Sequence, residues 1–493
     1  MIRPLDHPHK ELREIANYLK LESNEKIFIT GICSDSRLVE TGDLFLAMPG
    51  ETSHGIAFLD TALERGARAI LTDSEGAAHA SRIAHSVPLL VNSNPRSLCA
   101  DLSDWFYGFP SSKLKLFGIT GTNGKTTTSY LLHQIWNSSN LAAGLIGTVA
   151  ILAGDKNWKA DRTTPTSDEL QRILARMVEE KIANAVMEVS SHALVQERVK
   201  NVRFEAVGFT NLTQDHLDYH KTMEKYYQAK KLLFSDEYTE TAYINVDNDF
   251  GKRLITEINI EAKSLSISEK SDWYFERFQR SGGGYEVEIL SKEGNSIAGK
   301  ISLLGRHNLE NLLMAVAMAS ASGLSDRTIS NSLHQLTGAP GRLELVIQEP
   351  FLAFVDYAHT PDAVSKILES IKELEPARII GVLGCGGDRD KGKRPLMGEA
   401  LNQGCDLPIF TSDNPRSESP EEILKDMTDG IKLKESAEII PDRRAAIKKA
   451  VSLAKSGDLI IVLGKGHELG QEIAGVKMPF SDSEELLKAV ATK

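Results

Sequence analysis

"FGITGTNGKTTTSYLL" (residues 117–132) is the stretch that decides the central part of the fold. An apolar run leads into a glycine-rich turn, and small hydroxyl residues then open an amphipathic segment. The order predicts a strand, a loop and a helix, whose free N–H groups and dipole attract an anion. The common phosphate loop has four residues between its glycines, whereas only Thr122 and Asn123 separate Gly121 from Gly124 here. An ordinary turn with a chance lysine is the alternative, and the hydroxyl residues after that lysine favour phosphate binding.

The composition narrows the class of protein. The chain has 493 residues, enough for two to four domains, with 41% hydrophobic and 25% charged residues, as in soluble globular proteins. A net charge of −11 argues against nucleic acid or an anionic membrane as partner. No apolar run reaches the roughly 18 residues of a membrane helix, and the start has no secretory apolar core. Four scattered cysteines without a C-x-x-C pair favour a reducing cytoplasm.

Alternating apolar and helical segments divide the chain into three predicted units. Residues 1–112 form a small α/β unit, in which "GDLFLAMPG" and "ARAILT" read as strands and "AFLDTALERG" as a helix. The aromatic and Pro/Ser-rich residues 105–114 read as a linker. Residues 113–337 and 338–493 each alternate strand and helix, which predicts mostly parallel sheets.

Within the central unit, "NAVMEVS", "AVGFTNL" and "TAYINV" are predicted buried strands, while "GYEVEIL" and "SIAGKISLLG" are predicted to form an inserted β-hairpin. The third unit has the strands "FLAFVDYAH", "ARIIGVLGCGG", "LPIFTSD" and "DLIIVLGKG". Because ligands of open α/β sheets bind at the carboxyl ends of the strands, the loops that follow these strands are the candidate sites.

Several polar residues follow the central strands. Glu188 ends a buried strand and could hold a Mg²⁺ ion of the nucleotide. "NLTQDHLDYH" (211–220) brings two Asp and two His to another strand end, and such a cluster is more often functional than structural. Lys230 and Lys231 lie on a predicted helix, where a lysine pair taken alone indicates a solvated basic face.

Four loops of the third unit carry Gly, Arg and Lys in the pattern of an anion-binding rim. One such loop could simply be solvated, but four at corresponding strand ends predict a binding site. Arginine is suited to it because its guanidinium binds carboxylates through two hydrogen bonds. The loops are "DYAHTPD" (356–362), "GCGGDRDKGKRP" (384–395), "SDNPRSE" (412–418) and "GKGHE" (464–468).

Taken together, these motifs give the chain a family resemblance. G-T-N-G-K-T-T, E-V-S-S-H-A-L, N-L-T-x-D-H-L-D-Y-H, G-x-H-N-x-x-N, D-Y-A-H-T-P-D and D-N-P-R occur in the order found in the Mur ligases, which the chain resembles over essentially its whole length. These are ATP-dependent amide-forming enzymes of bacterial peptidoglycan synthesis, in which a shortened phosphate loop is usual. The resemblance implies an α/β protein of three domains: a small N-terminal α/β domain, a central P-loop-like ATPase domain with a mostly parallel sheet, and a C-terminal Rossmann-like α/β domain.

The resemblance also implies roles for residues of the central domain. Lys125, Glu188, His216 and Lys230 would be catalytic. Mg²⁺ would be held by Thr126, Glu188, His216 and Lys230, the last as a carbamate formed with CO₂, which overturns the solvated interpretation of this lysine. The ATP contacts would be Gly121, Thr122, Asn123, Gly124, Lys125, Thr126 and Thr127, with Asn308, Arg342 and Asp356 on the adenosine side.

Two further substrate sites follow from the resemblance. UDP-MurNAc-L-Ala-D-Glu would contact Ser36, Thr163, Thr164, Ser190, Gln196 and Arg198. The incoming amino acid would contact Arg389, Asp413, Asn414, Pro415, Arg416, Gly464 and Glu468. The amino acid is expected to be meso-diaminopimelate rather than L-lysine, because Arg416 in the D-N-P-R run supplies a planar cation for the extra carboxylate. Arg389 could serve the same carboxylate, and Glu468 could pair with the distal ammonium.

Other readings of the sequence make different predictions. A folylpolyglutamate synthetase would share the ATP core, but the "SDSR" stretch of the first unit and D-N-P-R argue against it. A P-loop switch protein would need the longer loop and, for GTP, an N-K-x-D motif, which the sequence lacks. A catalytically dead scaffold would not be expected to keep Lys125, Glu188, His216 and Lys230. We therefore expect a cytoplasmic, monomeric enzyme with small-molecule substrates and with neither nucleic acid nor membrane as partner.

Overall fold

The structure is a computed structural model and describes residues 2–50, 53–83, 87–281 and 284–492. Three separate sheets built mainly of parallel strands follow one another along the chain, and helices cover them. This is the α/β architecture with three domains that the sequence predicts. Within the described ranges, no helix combines the length and the apolar character needed to cross a bilayer.

The N-terminal domain is built on a four-stranded parallel sheet of order β3-β4-β5-β6, with β1 and β2 as a separate antiparallel pair. The two predicted strands and the predicted helix correspond to β4, β5 and α2. The strands are β1 (Lys10–Glu11), β2 (Phe28–Ile29), β3 (Gly31–Cys33), β4 (Asp43–Ala47), β5 (Ala69–Thr72) and β6 (Leu89–Val91). The helices are α1 (Leu12–Tyr18), α2 (Leu59–Glu64), α3 (Ser74–Ile83) and α4 (Pro95–Phe106).

The predicted linker at residues 105–114 is wrong as a description of that segment. Its first aromatic residues end α4 and lie in the core, where Phe106 is 2% and Tyr107 7% exposed. The Tyr107 hydroxyl also accepts a hydrogen bond from Ile32 N at 3.2 Å. Pro110–Lys113 form a single 3-10 turn before the next strand. Burial of the large aromatic side chains stabilises this connection, so it is not a flexible linker despite its Pro and Ser residues.

The central domain carries an eleven-stranded sheet of order β10-β9-β8-β11-β7-β12-β13-β14-β15-β16-β17, parallel from β8 to β15 and antiparallel at both ends. Its strands are β7 (Lys115–Thr120), β8 (Ala143–Ile146), β9 (Ala150–Ala153), β10 (Lys156–Lys159), β11 (Asn184–Glu188), β12 (Ala206–Phe209), β13 (Thr241–Asn245), β14 (Glu261–Ser266), β15 (Trp273–Ser281), β16 (Gly284–Ser291) and β17 (Ser296–Ile301). Its helices are α5 (Lys125–Ser138), α6 (Ser167–Glu179), α7 (Ser191–Val195), α8 (Leu217–His220), α9 (Met223–Lys231), α10 (Asp249–Glu257), α11 (Arg306–Ala321) and α12 (Asp326–Ser332).

The predicted hairpin forms, but it is not an insertion. Strands β16 and β17 pair antiparallel, as predicted, and β15 joins them to the rest of the sheet. Strand β15 has the sequence "WYFERFQRS", whose outer half is largely exposed, so its pattern gave no sign of a buried strand. Only the pairs Leu265↔Trp273 and Ser266↔Tyr274 connect it to β14. These two pairs join the hairpin strands to β14, so the hairpin forms the edge of one continuous sheet.

The C-terminal domain has a six-stranded sheet of order β18-β19-β23-β20-β21-β22, parallel except for the β18 edge, and a small β24–β25 hairpin. The strands are β18 (Glu344–Ile347), β19 (Leu352–Asp356), β20 (Ile379–Cys385), β21 (Leu407–Ser412), β22 (Glu438–Ile439), β23 (Leu459–Leu463), β24 (Gly470–Ile473) and β25 (Val476–Pro479). The helices are α13 (Pro361–Lys372), α14 (Arg394–Gly404), α15 (Pro420–Thr428), α16 (Arg443–Leu453) and α17 (Asp482–Ala491).

The strand–loop–helix order predicted for the central stretch is confirmed. Strand β7 ends at Thr120 and helix α5 begins at Lys125. Phe117 on the strand and Trp136 on the helix are fully buried in the same core, which fixes the helix against the sheet. The loop at 121–124 is therefore held at the carboxyl edge of the central strand, directly before the N-terminus of α5, which is the end of a helix that attracts an anion.

Candidate active site

The short glycine loop needs both of its glycines. Gly121 has φ 149° and Gly124 has φ 89°, a region that residues with a Cβ rarely occupy. A Cβ at Gly121 would lie 1.9 Å from Thr210 Oγ1, and one at Gly124 would lie 2.3 Å from Asn311 Oδ1. The loop thus passes so close to neighbouring polar groups that no side chain fits at either position.

Polar groups from the end of β12 hold the loop in shape. Thr210 Oγ1 donates to Asn123 O at 2.6 Å, and Asn123 N donates to Asn211 Oδ1 at 3.0 Å. Lys125 Nζ donates to Gly121 O at 2.8 Å and turns back over the loop. Burial lowers the pKa of Lys125, an effect that the charge of Glu188 partly offsets. A preformed loop with a cation above it can bind phosphate without reorganising.

Glu188 lies fully buried at the end of β11, beside the first turn of α5. Its Oε2 accepts hydrogen bonds from Thr126 Oγ1 and Thr148 Oγ1, both at 3.0 Å, and its Oε1 accepts one from Thr148 N at 2.8 Å. Because these donors fix both carboxylate oxygens, Glu188 has a defined position next to the helix start that follows the loop.

Lys230 is buried at 1% exposure, although it belongs to a helix with a partly solvated face. Its Nζ donates to Gly121 O at 2.8 Å and lies 4.8 Å from the centre of the Tyr226 ring. Burial and then the nearby Lys125 hold the pKa of Lys230 well below its usual value. Lys231, by contrast, is partly exposed and pairs with Glu257 at 2.9 Å. The solvated-face interpretation therefore applies to Lys231 and not to Lys230.

His216 lies beside an ion cluster that joins the central and C-terminal domains. It is the N-cap residue of α8, with φ 54°, and its Nε2 lies 3.4 Å from Asp215 Oδ2. Asp215 also lies 3.4 Å from Lys393 Nζ and 3.7 Å from His359 Nε2, both in the C-terminal domain. Burial raises the pKa of Asp215, but hydrogen bonding from His359 and the charge of Lys393 outweigh it and keep this pKa well below the ordinary value.

The sequence grouped Asp215 with His216 as part of a functional cluster, but it did not predict their contact with His359 and Lys393. The four residues lie in three of the quoted motifs. Asp215 and Lys393 are separated by 178 positions. Their pairing depends on how two domains meet, and no local pattern reports that.

The three predicted adenosine-side residues also meet at this domain junction. Arg342 Nη2 donates to Thr126 Oγ1 at 3.3 Å. Asp356 accepts hydrogen bonds from Leu343 N and Ala358 N, both at 2.6 Å, and burial raises its pKa. A cavity of about 70 Å³ is lined by Asn123, Gly124, Thr127, Asn308, Arg342 and Asp356, among others. The three predicted adenosine-side residues therefore share a cavity with three of the seven predicted phosphate-loop residues, whereas Gly121, Thr122, Lys125 and Thr126 do not line it.

Four of the six residues predicted for the UDP-linked substrate form one hydrogen-bonded group in the central domain, and Thr163 joins it indirectly through Thr148 and Glu188. Thr164 Oγ1 donates to Ser190 Oγ at 3.3 Å, and Arg198 Nη1 donates to Thr164 O at 2.9 Å. The other contacts of the group are those of Arg198 Nε with Gln196 Oε1 at 3.0 Å and of Thr148 Oγ1 with Thr163 Oγ1 at 3.0 Å.

Ser36 is the sixth residue and lies in the N-terminal domain, on the turn Ser36–Leu38. Two positions earlier, Ser34 Oγ donates to Asp168 Oδ1 of the central domain at 2.8 Å. That hydrogen bond fixes the turn that carries Ser36 against the first turn of α6.

Six of the seven residues predicted for the amino acid line a second cavity of about 180 Å³: Arg389, Asp413, Asn414, Arg416, Gly464 and Glu468. Asp215, His216 and His359 line the same cavity, so it reaches the domain junction. Pro415 is buried and is not among the lining residues.

Hydrogen bonds hold Arg416 in place at the cavity. Its Nη1 donates to Gly387 O at 2.6 Å. Its backbone is left-handed, at φ 54°, and is held by hydrogen bonds with β24 and the hairpin turn: Arg416 N donates to Glu472 O at 3.1 Å and Ala474 N donates to Arg416 O at 2.7 Å.

Lys465 is a residue of this region that the sequence prediction missed. It stands inside the "GKGHE" motif, between two positions that were predicted, and its side chain is fully buried. Its Nζ donates to Asn414 Oδ1 at 3.0 Å and to Glu468 Oε2 at 2.9 Å. The lysine is visible in the motif, but its position after a glycine does not predict a role, because the role depends on contacts that only the fold creates.

The protein groups near the loop suit a metal that is shared with phosphate. In the part of the chain that the structure describes, no group of three or more His, Cys, Asp or Glu side chains could hold an ion by itself. Mg²⁺ in nucleotide sites is commonly bound by one or two carboxylates together with phosphate oxygens and water. Glu188 and Thr126, fixed beside the loop at 3.0 Å from one another, fit that kind of site.

Comparison with known families gives three matches in chain order. Residues 28–107 match a family described as "Mur ligase family, catalytic domain". Residues 119–319 match "Mur ligase middle domain", and residues 341–466 match "Mur ligase, glutamate ligase domain".

Full-length relatives agree with these matches. The UDP-N-acetylmuramoyl-L-alanyl-D-glutamate–2,6-diaminopimelate ligase 1 of Clostridium acetobutylicum is 40% identical, with 97% of this chain and 98% of the relative covered. The chain belongs to the Mur ligase family. The UDP-N-acetylmuramoyl-L-alanyl-D-glutamate–2,6-diaminopimelate ligase of Aquifex aeolicus is 42% identical, with 92% of each chain covered. Among solved structures, a UDP-N-acetylmuramoyl-L-alanyl-D-glutamate–2,6-diaminopimelate ligase has a TM-score of 0.66 at 32% identity, with 98% of this chain and 99% of that chain covered.

Membership of the Mur ligase family settles the fold class and the kind of loop. The short G-x-x-G-K-T spacing belongs to an ATP-dependent ligase family, so the reading as a P-loop switch protein is wrong. The matches to Mur ligase descriptions run through the N-terminal domain as well, where the sequence had argued against a folylpolyglutamate synthetase.

Proposed function

We propose that this Mur ligase joins meso-2,6-diaminopimelate to the γ-carboxylate of D-glutamate in UDP-N-acetylmuramoyl-L-alanyl-D-glutamate, with ATP as the energy source. The observation that carries the proposal is the cavity in which Arg416 and Arg389 occur together with Glu468, next to the domain junction. A ligand with carboxylates and a distal ammonium complements that set of charges. The relatives named above support the same substrates.

The proposed reaction has two steps. A carboxylate oxygen of the substrate attacks the γ-phosphorus of ATP, ADP leaves, and an acyl phosphate forms. The amine of diaminopimelate then attacks the acyl carbon, inorganic phosphate leaves, and the amine loses a proton as the amide forms. The contribution of the chain is positioning and neutralisation of charge: Lys125 and the loop N–H groups hold the phosphates, and Arg342 approaches Thr126 from the C-terminal domain.

Mg²⁺ would neutralise negative charge on the transferring phosphoryl group. We assign its protein contacts to Thr126, Glu188 and His216, and to Lys230 as a carbamate. The depressed pKa of Lys230 supports the last assignment, because only a neutral amine reacts with CO₂. The amine gains CO₂ and releases one proton, which turns a buried base into a carboxylate with a longer reach.

The remaining parts of the proposal concern organisation. Domain boundaries are placed at 1–112, 113–337 and 338–493, with Ser36 and the Thr164 group holding the UDP-linked substrate. Asn308, Arg342 and Asp356 would contact adenosine. The protein is proposed to act in the cytoplasm as a monomer, on small-molecule substrates alone. Its four cysteines are buried free thiols, as expected in a reducing compartment.

The proposal is tested by ADP release. Purified protein, ATP and Mg²⁺ are incubated with the UDP-linked dipeptide substrate and with each member of a panel of amino acids. ADP release should require both substrates and should be fastest with meso-diaminopimelate. Release that is just as fast without the UDP-linked substrate would contradict a ligase, and a preference for another amino acid would contradict the substrate assignment.

Replacing Arg416 with alanine is expected to lower kcat/KM for meso-diaminopimelate by about 10²-fold, because one carboxylate of the substrate loses its guanidinium partner. The KM values for ATP and for the UDP-linked substrate should stay unchanged, since neither is predicted to contact this residue. Arg444→Ala is the matched control, because that arginine is largely exposed on α16 and pairs with Glu485 at 2.8 Å. Full diaminopimelate affinity in Arg416→Ala would show that the arginine has another role.

A further inference from the structure

The fully buried Lys465 is the starting point, because the proposed reaction gives it no task. Its Nζ has three polar neighbours that all belong to the amino-acid cavity: Glu468 Oε2 at 2.9 Å, Asn414 Oδ1 at 3.0 Å and Asp413 Oδ1 at 4.0 Å. A buried ammonium is costly unless it is paired and hydrogen-bonded, and here it satisfies groups on two of the four rim loops.

The hydrogen bonds around Lys465 determine which oxygen of Glu468 is free. Oε2 of Glu468 accepts from Lys465 Nζ and also from Asn414 Nδ2, the latter at 2.8 Å. Oε1 has neither of these partners and can meet a ligand. Burial raises the pKa of Glu468, but the charge and hydrogen bond of Lys465 outweigh it, so the net shift is downward and Glu468 stays anionic. Burial raises the pKa of the neighbouring Asp413.

The same series of polar contacts reaches Arg416 through Glu472. Asn414 Oδ1, which accepts from Lys465, also accepts from Glu472 N at 3.0 Å. The Glu472 carboxylate lies 3.8 Å from Arg416 Nε. Two other buried cations are nearby: Arg443, which pairs with Asp482 at 2.7 Å and also acts on Asp413, and Lys393, which pairs with Asp215 at 3.4 Å. Lys465 differs from both because its Nζ contacts Glu468 and Asn414 directly.

We propose that Lys465 is a positioning residue that determines amino-acid specificity in two ways. It fixes the position of Glu468. Its positive charge also offsets part of the negative charge of the cavity, so that the charge that remains matches the single distal ammonium of the ligand. This inference rests on the proposed function and deepens it. Without the lysine charge, Asp413 and Glu468 would repel the second carboxylate of diaminopimelate. L-Lysine, which has no such carboxylate, would be penalised far less.

The test measures kcat/KM for meso-diaminopimelate and for L-lysine with wild type, Lys465→Met and Lys465→Arg. The ratio of the two values should fall at least about tenfold in Lys465→Met, mostly through KM for diaminopimelate. It should stay within about threefold of wild type in Lys465→Arg, which keeps the charge. Lys449→Met is the matched control, because Lys449 lies on α16 and pairs with Glu438 at 3.0 Å.

Two results would overturn the inference. If Lys465→Met loses both amino acids equally, with an unchanged ratio, the lysine is only structural. If Lys465→Arg changes the ratio as much as Lys465→Met, its charge is not the cause. Trapping of the acyl phosphate with hydroxylamine checks that each variant still folds and activates the first substrate, and Lys465→Gln replaces Lys465→Met if that variant is insoluble. A wild type that does not use diaminopimelate would instead refute the proposed function.

Discussion

Replacing Lys230 with alanine is expected to reduce ligation by about 10²- to 10³-fold, the usual effect of removing one preorganised charged contact from a transition state. The alanine variant cannot form a carbamate, so no carboxylate would extend from α9 towards the phosphate loop. Acetate or formate at millimolar concentration should restore part of the activity, because a small carboxylate can enter the space that the side chain leaves. The measurement is steady-state ADP release with and without the added carboxylate.

Lys231→Ala is the matched control for this experiment. It is the next residue on the same helix, but its Nζ pairs with Glu257 at 2.9 Å, away from the loop. A surface ion pair of this kind contributes little, so the variant should keep near-normal activity and should not respond to acetate. A fully active Lys230→Ala enzyme would contradict the carbamate. So would the lack of a carbamate carbon signal in wild type supplied with ¹³C-bicarbonate.

Lys125→Ala is expected to lose roughly 3 kcal/mol or more of transition-state stabilisation, about 10²-fold in rate. Its Nζ lies over the loop, bonded to Gly121 O and Thr122 O, at the place where phosphate charge would develop. The variant should fold, because burial already lowers the pKa of this lysine and so disfavours its charge in the native state. Thermal unfolding and hydroxylamine trapping separate a folding defect from a loss of acyl-phosphate formation.

Lys115→Ala serves as the control for Lys125. Lys115 begins the strand that leads to the loop, and it is an exposed residue whose Nζ donates to Ser322 O at 3.4 Å. Near-normal turnover in Lys125→Ala would rule out the role in phosphate transfer. A reduced unfolding temperature together with lost trapping would mean that the lysine supports the fold instead.

The elements that could be predicted are those with a strong local pattern. The predicted apolar strand before Gly121 is β7 (Lys115–Thr120), and the helix predicted after the loop begins at Lys125, because the apolar run and the glycine pair are sufficient to specify a strand, a turn and a helix. Strand β15 was missed, since its solvated outer half lacks a regular apolar alternation. The aromatic residues at 105–107 were assigned to a linker because composition alone does not reveal that a neighbouring core will bury them.

Residues of one motif that were predicted to share a site do lie close together, as in the loop around Gly121 and the D-N-P-R run, and their roles stay predictions. The candidate site could not be predicted where domains meet. The contact of Asp215 with Lys393 depends on the packing of two domains, and the burial of Lys465 depends on the hydrogen-bond partners that the fold brings to it. Sequence patterns report spacing along the chain, whereas these ion pairs depend on spacing between chain segments far apart in sequence.

The central claim is that the cavity around Arg416 selects meso-diaminopimelate, and a competition experiment tests it most directly. Wild-type protein is given ATP, Mg²⁺ and UDP-N-acetylmuramoyl-L-alanyl-D-glutamate with equal concentrations of meso-diaminopimelate and L-lysine, and the product is identified by mass spectrometry. The account predicts a product that carries diaminopimelate, with the lysine product below about one part in a hundred, because lysine leaves the arginine without its carboxylate partner. A lysine product in equal or greater amount would contradict it.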